Sequence, residues 1–253
     1  MGDKLKIEIE GRYCLSAIHK VPEDTRDTKE EQTLVIMIHG FPGSKSGHND
    51  LFGDLEFVLF EKGFHTLRFD LRGCGESDGK EEHFTLGTAS EDIQNAIFWA
   101  RTVGYKRFAF IGEGIGATLT LLNLDKRTNA LVLLWPALDL SRLPQEYYGL
   151  PASLPPKQEI FEIDGHKIGR NFIEDLKKTD IIYALREAHA PTLILHGIRD
   201  KKIPSDHLNI ARQYLPSKRI EITTFHDGQH ALPALNHRKA MFFHIQQFLE
   251  KFA

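Results

Sequence analysis

The chain has 253 residues, 41% hydrophobic and 26% charged, the profile of an ordinary globular protein that can bury one large core with or without a modest insertion. Its 32 basic and 35 acidic residues leave a formal charge of −3, too balanced for a polyanion partner, so nucleic-acid binding is not expected. Lys177, Lys178, Lys201 and Lys202 read as solvated surface.

In chain order, alternating segments at 6–10 and 13–19 predict an opening antiparallel pair. An apolar strand at 34–38 runs into His39-Gly40-Phe41-Pro42-Gly43, and a helix is expected over 49–62. The strand at 65–69 leads into Asp70-Leu71-Arg72-Gly73-Cys74-Gly75, followed by a helix over 88–101 with Ile93 and Ile97 at helical spacing. Further strands are expected at 107–111, 130–135, 192–196 and 219–224. A closing helix over 237–252 should carry Phe242, Ile245 and Leu249 on its core-facing stripe. Apolar strands separated by helices predict a mostly parallel sheet covered on both faces.

The rhythm breaks between residues 135 and 192. Pro144, Pro151, Pro155 and Pro156 precede a short alternating run at 158–163, and a helix is expected over 171–185. A loop or hairpin insertion fits this pattern. Open parallel sheets bind ligands at the carboxyl ends of their strands, so the insertion is expected to wall a substrate cleft there.

The chemistry concentrates at three positions. Phe108-Ala109-Phe110-Ile111-Gly112-Glu113-Gly114-Ile115-Gly116 is a strand, a glycine-spaced turn and the start of a helix, the context of a nucleophile elbow. Its centre is Gly114, which has no side chain with which to attack a carbonyl. The segment fails as a phosphate loop because no Gly-Lys-Ser/Thr follows, and its spacing does not fit a dinucleotide fingerprint. A plain tight turn remains the alternative for this motif alone. Asp200, after the strand at 192–196, and His230, after the last strand, would emerge at the same sheet edge. Nucleophile position, acid, histidine is the chain order of an α/β-hydrolase triad. In that geometry Asp200 fixes the tautomer of His230, His230 serves as general base, and the N–H groups of Phe41 and Ile115 face a tetrahedral oxyanion.

On these residues the chain resembles the α/β-hydrolase superfamily over essentially its whole length. The insertion and the run from Asp164 to Leu176 are similar to the feruloyl or cinnamoyl esterase branch, which carries a small lid after its sixth strand. The loop from Asp70 to Ser77 matches the superfamily's loop after its fourth strand, with Cys74 where histidine is usual. The resemblance implies one α/β-hydrolase domain over 1–253 with a lid at 137–185. It implies hydrolysis of hydroxycinnamate and other short acyl esters without a cofactor, the family's serine mapping to Gly114, its acid to Asp200, its histidine to His230 and its oxyanion loop to Phe41. Gly114 then reads as a serine-to-glycine replacement, made in the laboratory or in nature, and the chain is expected to be inactive or strongly impaired as an esterase. A natural binding protein that keeps the cleft for an ester, an acid or a signalling molecule is the second reading.

No other residue reads as a replacement nucleophile. Glu113 should point away from the elbow centre, toward the surface or the cleft wall; Thr118 faces packing; Cys74 is isolated; Ser44, Ser46 and Ser77 lack a legible histidine partner. His39, His83, His189, His196, His226 and His237 show no diagnostic zinc spacing, so no metal is expected. Two cysteines, Cys14 and Cys74, form no disulfide framework. The charged start lacks the apolar stretch of a signal peptide, and no run reaches membrane-spanning length, so a cytoplasmic protein without membrane insertion is expected. The expected partner is a small-molecule ester or its acid product, and a homodimer contact through the lid stays open.

Overall fold

The opening strands pair locally, because an αL glycine lets the chain reverse between them. β1 (Asp3–Ile9) and β2 (Tyr13–Lys20) form an antiparallel ladder around Gly11, whose φ is +68°. The computed structural model describes residues 3–9, 11–22, 28–216 and 219–253, so Glu10 of the expected first strand lies outside the described residues. The next strands are β3 (Thr33–Ile38), β4 (His65–Phe69), β5 (Arg107–Glu113) and β6 (Thr128–Leu134). All six residues of β3 are buried, as a strand covered on both faces requires.

The helices lie between the strands as expected: α1 (Leu51–Phe60), α2 (Leu86–Thr102) and α3 (Ile115–Leu122). Thr85 and Thr88 form a reciprocal capping box that starts α2 two residues before the expected helix, and Ala89, Ile93, Ala96, Ile97 and Ala100 form its buried stripe. A short 3₁₀ turn at His48–Asp50 replaces the first residues of the helix expected at 49, because Asn49 and Asp50 take left-handed φ values of 52° and 56°.

Between β6 and the next core strand the chain makes a 3₁₀ turn, α4 (Leu143–Glu146), a hairpin of β7 (Ile160–Ile163) and β8 (His166–Gly169), α5 (Arg170–Lys178) and α6 (Ile182–Glu187). The single helix expected over 171–185 is therefore two. Thr179 is extended, and the Asp180 carboxylate accepts the N–H of Ile182 at 2.8 Å, which starts a new helix. The excursion is tied to the body of the protein. Glu81 accepts from His166 Nδ1 at 2.6 Å and from the Lys167 N–H at 2.7 Å, and Asp175 accepts from the Leu86 N–H at 3.1 Å.

β9 (Thr192–Gly197), α7 (His207–Tyr214), β10 (Ile220–Phe225) and α8 (Leu235–Phe252) complete the chain. On α8 Met241 takes the buried place expected for Phe242, which is half-buried, beside Ile245, Phe248 and Leu249. The strands form one sheet in the order β1-β2-β4-β3-β5-β6-β9-β10, in which β2 alone runs against its neighbours. α1 contacts α8, whereas α2, α3, α6 and α7 contact one another in series, so both faces are covered. This is an α/β-hydrolase fold with a mixed, mostly parallel sheet, as the strand and helix rhythm implies. Among the described residues no helix is long and apolar enough to cross a membrane.

Candidate active site

β5 runs to Glu113, two residues beyond the expected strand, and α3 starts at Ile115. The reversal falls on Gly114 alone, with φ 57° and ψ −119°. Its flanking glycines are required by packing: a methyl carbon on Gly116 would lie 2.3 Å from the Ile38 carbonyl oxygen, and one on Gly112 would lie 2.5 Å from that of Gly116. α3 thus starts against the end of β3. Gly114 is stitched to the end of β6: its N–H donates to the Leu134 carbonyl at 3.0 Å and its carbonyl accepts from Ala137 at 3.2 Å. At Gly114 itself space is open. A methyl carbon there would meet only Ile203 Cδ1 at 3.7 Å, Trp135 Cδ1 at 3.9 Å and Trp135 Nε1 at 4.0 Å. Backbone conformation, not crowding, is what favours glycine.

Asp200 follows β9 and His230 follows β10, and their side chains meet. His230 Nδ1 lies 2.8 Å from Asp200 Oδ2. Asp200 Oδ1 accepts the N–H groups of Lys202 and Ile203 at 2.8 and 2.9 Å, so the loop after β9 orients the carboxylate before it meets the histidine. The Asp200 side chain is fully buried and that of His230 is 17% exposed. With Nδ1 turned to the carboxylate, His230 keeps Nε2 for the other side of its ring. His230, Gly114, Ile115 and Phe41 all line one cavity of about 450 Å³, within the range of small-molecule sites.

The loop after β3 forms another wall. The Phe41 ring is buried against Phe84 with centroids 3.8 Å apart, and Phe172 of α5 meets both rings edge-on. Tyr148 donates its hydroxyl to the Phe41 carbonyl at 2.6 Å. These contacts fix the peptide while the side chain faces away from water. Ile115 opens α3, so its N–H is one of the donors that a helix leaves unpaired in its first turn.

Among the cavity residues, Trp135, His48, Tyr147 and Tyr148 carry polar groups that escape sequence reasoning. Trp135 reads as the end of a core strand, yet its pyrrole edge faces Gly114; its place at the carboxyl end of a parallel strand is the signal. His48 faces His230 with ring centroids 6.0 Å apart, and Tyr147 and Tyr148 enter from the excursion. Burial, then the neighbouring His230, hold His48 below the usual histidine range. Glu113 is buried at the cleft wall and not on the surface. Its carboxylate accepts the His48 N–H at 3.1 Å, and burial pushes it up to about 7 despite that bond and one from Gly40. Burial, reinforced by Glu113 and Asp200, pushes the Tyr147 hydroxyl up to about 12.

The other candidates make structural bonds or contacts. Thr118 is buried and donates to the Ala137 carbonyl. Cys74 is buried, and burial pushes its thiol far above the usual range; Cys14 is also free. Ser77 donates to the Asp70 carbonyl at 2.6 Å. Ser44 touches the cavity, but among the described residues no histidine bonds to its hydroxyl. His39 bridges the Gly40 carbonyl and the Leu71 N–H, and His196 meets the Ile203 carbonyl.

Comparison with known proteins agrees with this architecture. The family model for the alpha/beta hydrolase fold matches residues 33–155. An uncharacterized 31.7 kDa protein of the traX-finO intergenic region of Escherichia coli is 35% identical over 104 residues, which are 39% of this chain and 35% of that protein. The chain thus spans about a third of that relative's length. Human protein ABHD12B is 26% identical over 249 residues, covering 88% of this chain and 62% of its own. Among solved structures, Est1E from Butyrivibrio proteoclasticus with ferulic acid bound superposes with a TM-score of 0.84 at 24% identity over 98% of both chains. Mouse alpha/beta hydrolase domain-containing protein 10 gives 0.80 at 17% identity, covering 98% of this chain and 99% of its own. At such identities the likeness is one of fold.

Proposed function

From an α/β-hydrolase fold with an esterase-like scaffold, we propose a carboxylic-ester hydrolase site of the serine-esterase type whose covalent step is absent because Gly114 stands at the nucleophile position. The observation that carries this reading is the Asp200–His230 pair, joined at 2.8 Å, on the cavity that also contains Gly114. A small acyl or hydroxycinnamoyl ester would lie under the 137–185 segment, acting as a lid, with its carbonyl over Gly114. The Phe41 and Ile115 N–H groups would receive the carbonyl oxygen, donors whose orientation is set before reaction. Asp200 would hold the His230 tautomer, and His230 would move the proton. The bound ferulic acid of Est1E supports an aromatic acyl group as a candidate.

The experiment is intact-mass analysis after incubation with p-nitrophenyl butyrate or methyl ferulate. The unmodified chain should carry no adduct at residue 114, and Gly114→Ser should gain one acyl group and turn the ester over. Failure of a folded Gly114→Ser protein across a panel of esters would favour the second reading, a binding protein for an ester or its acid. That reading draws on the same open space at Gly114, which admits a ligand atom where a serine would stand.

A further inference from the structure

Gly114 does more than delete a hydroxyl, because the space beside it is bounded by a hydrogen-bond donor. The atoms within 4 Å of a methyl carbon on Gly114 are Ile203 Cδ1 and the Cδ1 and Nε1 of Trp135. Trp135 is 2% exposed and lines the cavity, with its Nε1 4.0 Å from that methyl position. The pyrrole edge of the indole, which carries its N–H donor, thus borders the place where a serine side chain would stand.

The backbone that aims it is unusual. Trp135 has φ +35°, an outlier for a bulky side chain, and its N–H is fixed to the Leu195 carbonyl at 2.7 Å. Immediately after His230, Ala231 and Leu232 also take left-handed φ values of 60° and 47°. Strain of this kind persists only where the surroundings impose it, and it gathers at sites of function. Here the strained residues adjoin the two groups that face Gly114. The ring centroids of Trp135 and His230 are 6.1 Å apart. Both rings border the same cavity, so one small molecule in it can accept from the indole N–H and donate to the imidazole.

Building on the proposed ester site, we infer that this chain hydrolyses short acyl esters by direct attack of a water molecule held beside Gly114, with Trp135 as its positioning donor and His230 as its base. Water accepts a hydrogen bond from Trp135 Nε1–H and donates one to His230 Nε2. Its oxygen forms a bond to the ester carbonyl carbon while its proton passes to Nε2. The carbonyl electron pair moves onto oxygen, where the Phe41 and Ile115 N–H groups receive it. As that pair returns, the bond to the alcohol oxygen breaks and the His230 proton goes to the leaving alkoxide. Acid and alcohol leave, the histidine is neutral again, and no group is attached to the protein.

The test uses the full chain and p-nitrophenyl butyrate. The unmodified protein should turn over without a burst and without an adduct in the acid-quenched mass spectrum, and His230→Ala should lose about 100-fold or more. Trp135→Phe keeps an aromatic ring, smaller than the indole, but removes the donor, and should lower kcat by about tenfold with little change in KM. Gly114→Ala places a methyl group on the water's side of the backbone and should lower kcat by at least as much; it decides the matter if Trp135→Phe fails to fold. Turnover equal to that of His230→Ala, kcat undiminished in both folded variants, or an adduct on the unmodified chain would overturn direct water attack. Gly114→Ser separates the two levels: an acyl-enzyme on the serine variant beside an inert unmodified chain defeats the water mechanism alone, whereas no acyl-enzyme defeats the ester-site reading beneath it.

Discussion

Replacing Gly114 by alanine and by serine separates backbone strain from hydroxyl chemistry. A side chain at φ 57°, ψ −119° costs about 1–3 kcal/mol of strain. Losing glycine's freedom in the unfolded chain returns about 0.4–1 kcal/mol. The new methyl carbon gains only part of the roughly 0.8 kcal/mol of a buried CH₂, because it meets Ile203 and Trp135 at 3.7–4.0 Å and faces the cavity elsewhere. No contact is close enough to add a packing penalty. Alanine should therefore destabilise by about 1 kcal/mol, a fall of about 2–4 °C in Tm for a domain of this size. Serine should lie between alanine and glycine, because a hydroxyl bonded to His230 Nε2 adds about 0.5–1.5 kcal/mol. Equilibrium urea denaturation of the three proteins without ligand measures both differences. An alanine form as stable as the glycine form would refute the assignment of strain to this turn.

Burial holds the Glu113 proton up to about 7 against an ordinary value of 4.5, so the folded chain binds that proton more tightly than the unfolded chain does. Stability from this group is full below about 4.5 and is lost as pH rises through about 7, by about 3 kcal/mol in total. Glu113→Gln should flatten the urea midpoint across that window, and an unchanged slope would reject the assignment. Phe172→Ala removes the ring that meets Phe41, Phe84 and Tyr148 and should cost about 3–5 kcal/mol in denaturation. In the Gly114→Ser background it should also slow acylation, read by quenched mass spectrometry, because the Phe41 peptide loses its support. Asp70→Asn breaks the buried pair with Lys45 Nζ at 2.5 Å and should destabilise by about 3–5 kcal/mol; a loss under 1 kcal/mol would show that Lys45 reaches solvent or Glu76 instead.

The residues legible in the sequence are those whose place depends on the end of a strand. Gly114, Asp200 and His230 each follow an apolar run, and parallel strands bring such ends to one edge whatever lies between them. The alternating run at 158–163 left a loop or a hairpin open, and β7 and β8 form the hairpin. What stayed hidden depends on partners far along the chain. The split of α5 from α6 turns on one carboxylate, Asp180, turning back to cap Ile182. For Glu113 the sequence leaves surface and cleft wall open, and the choice is made by the N–H of His48, 65 positions earlier, which donates to it. A buried tryptophan reads as core, and only the geometry at Gly114 shows that the pyrrole edge of Trp135 borders the cavity.

The excursion between β6 and β9 is bonded to the body at several points, through Glu81, Asp175 and the Tyr148–Phe41 bond. A roof held this way has no cheap opening motion, so a ligand must enter through a doorway of constant width. Stopped-flow binding of a non-hydrolysable ester analogue should then show an observed rate that rises in proportion to ligand concentration, without the plateau that a gating step imposes. Selection among ligands would rest on what fits the doorway at first encounter and not on a later closing step.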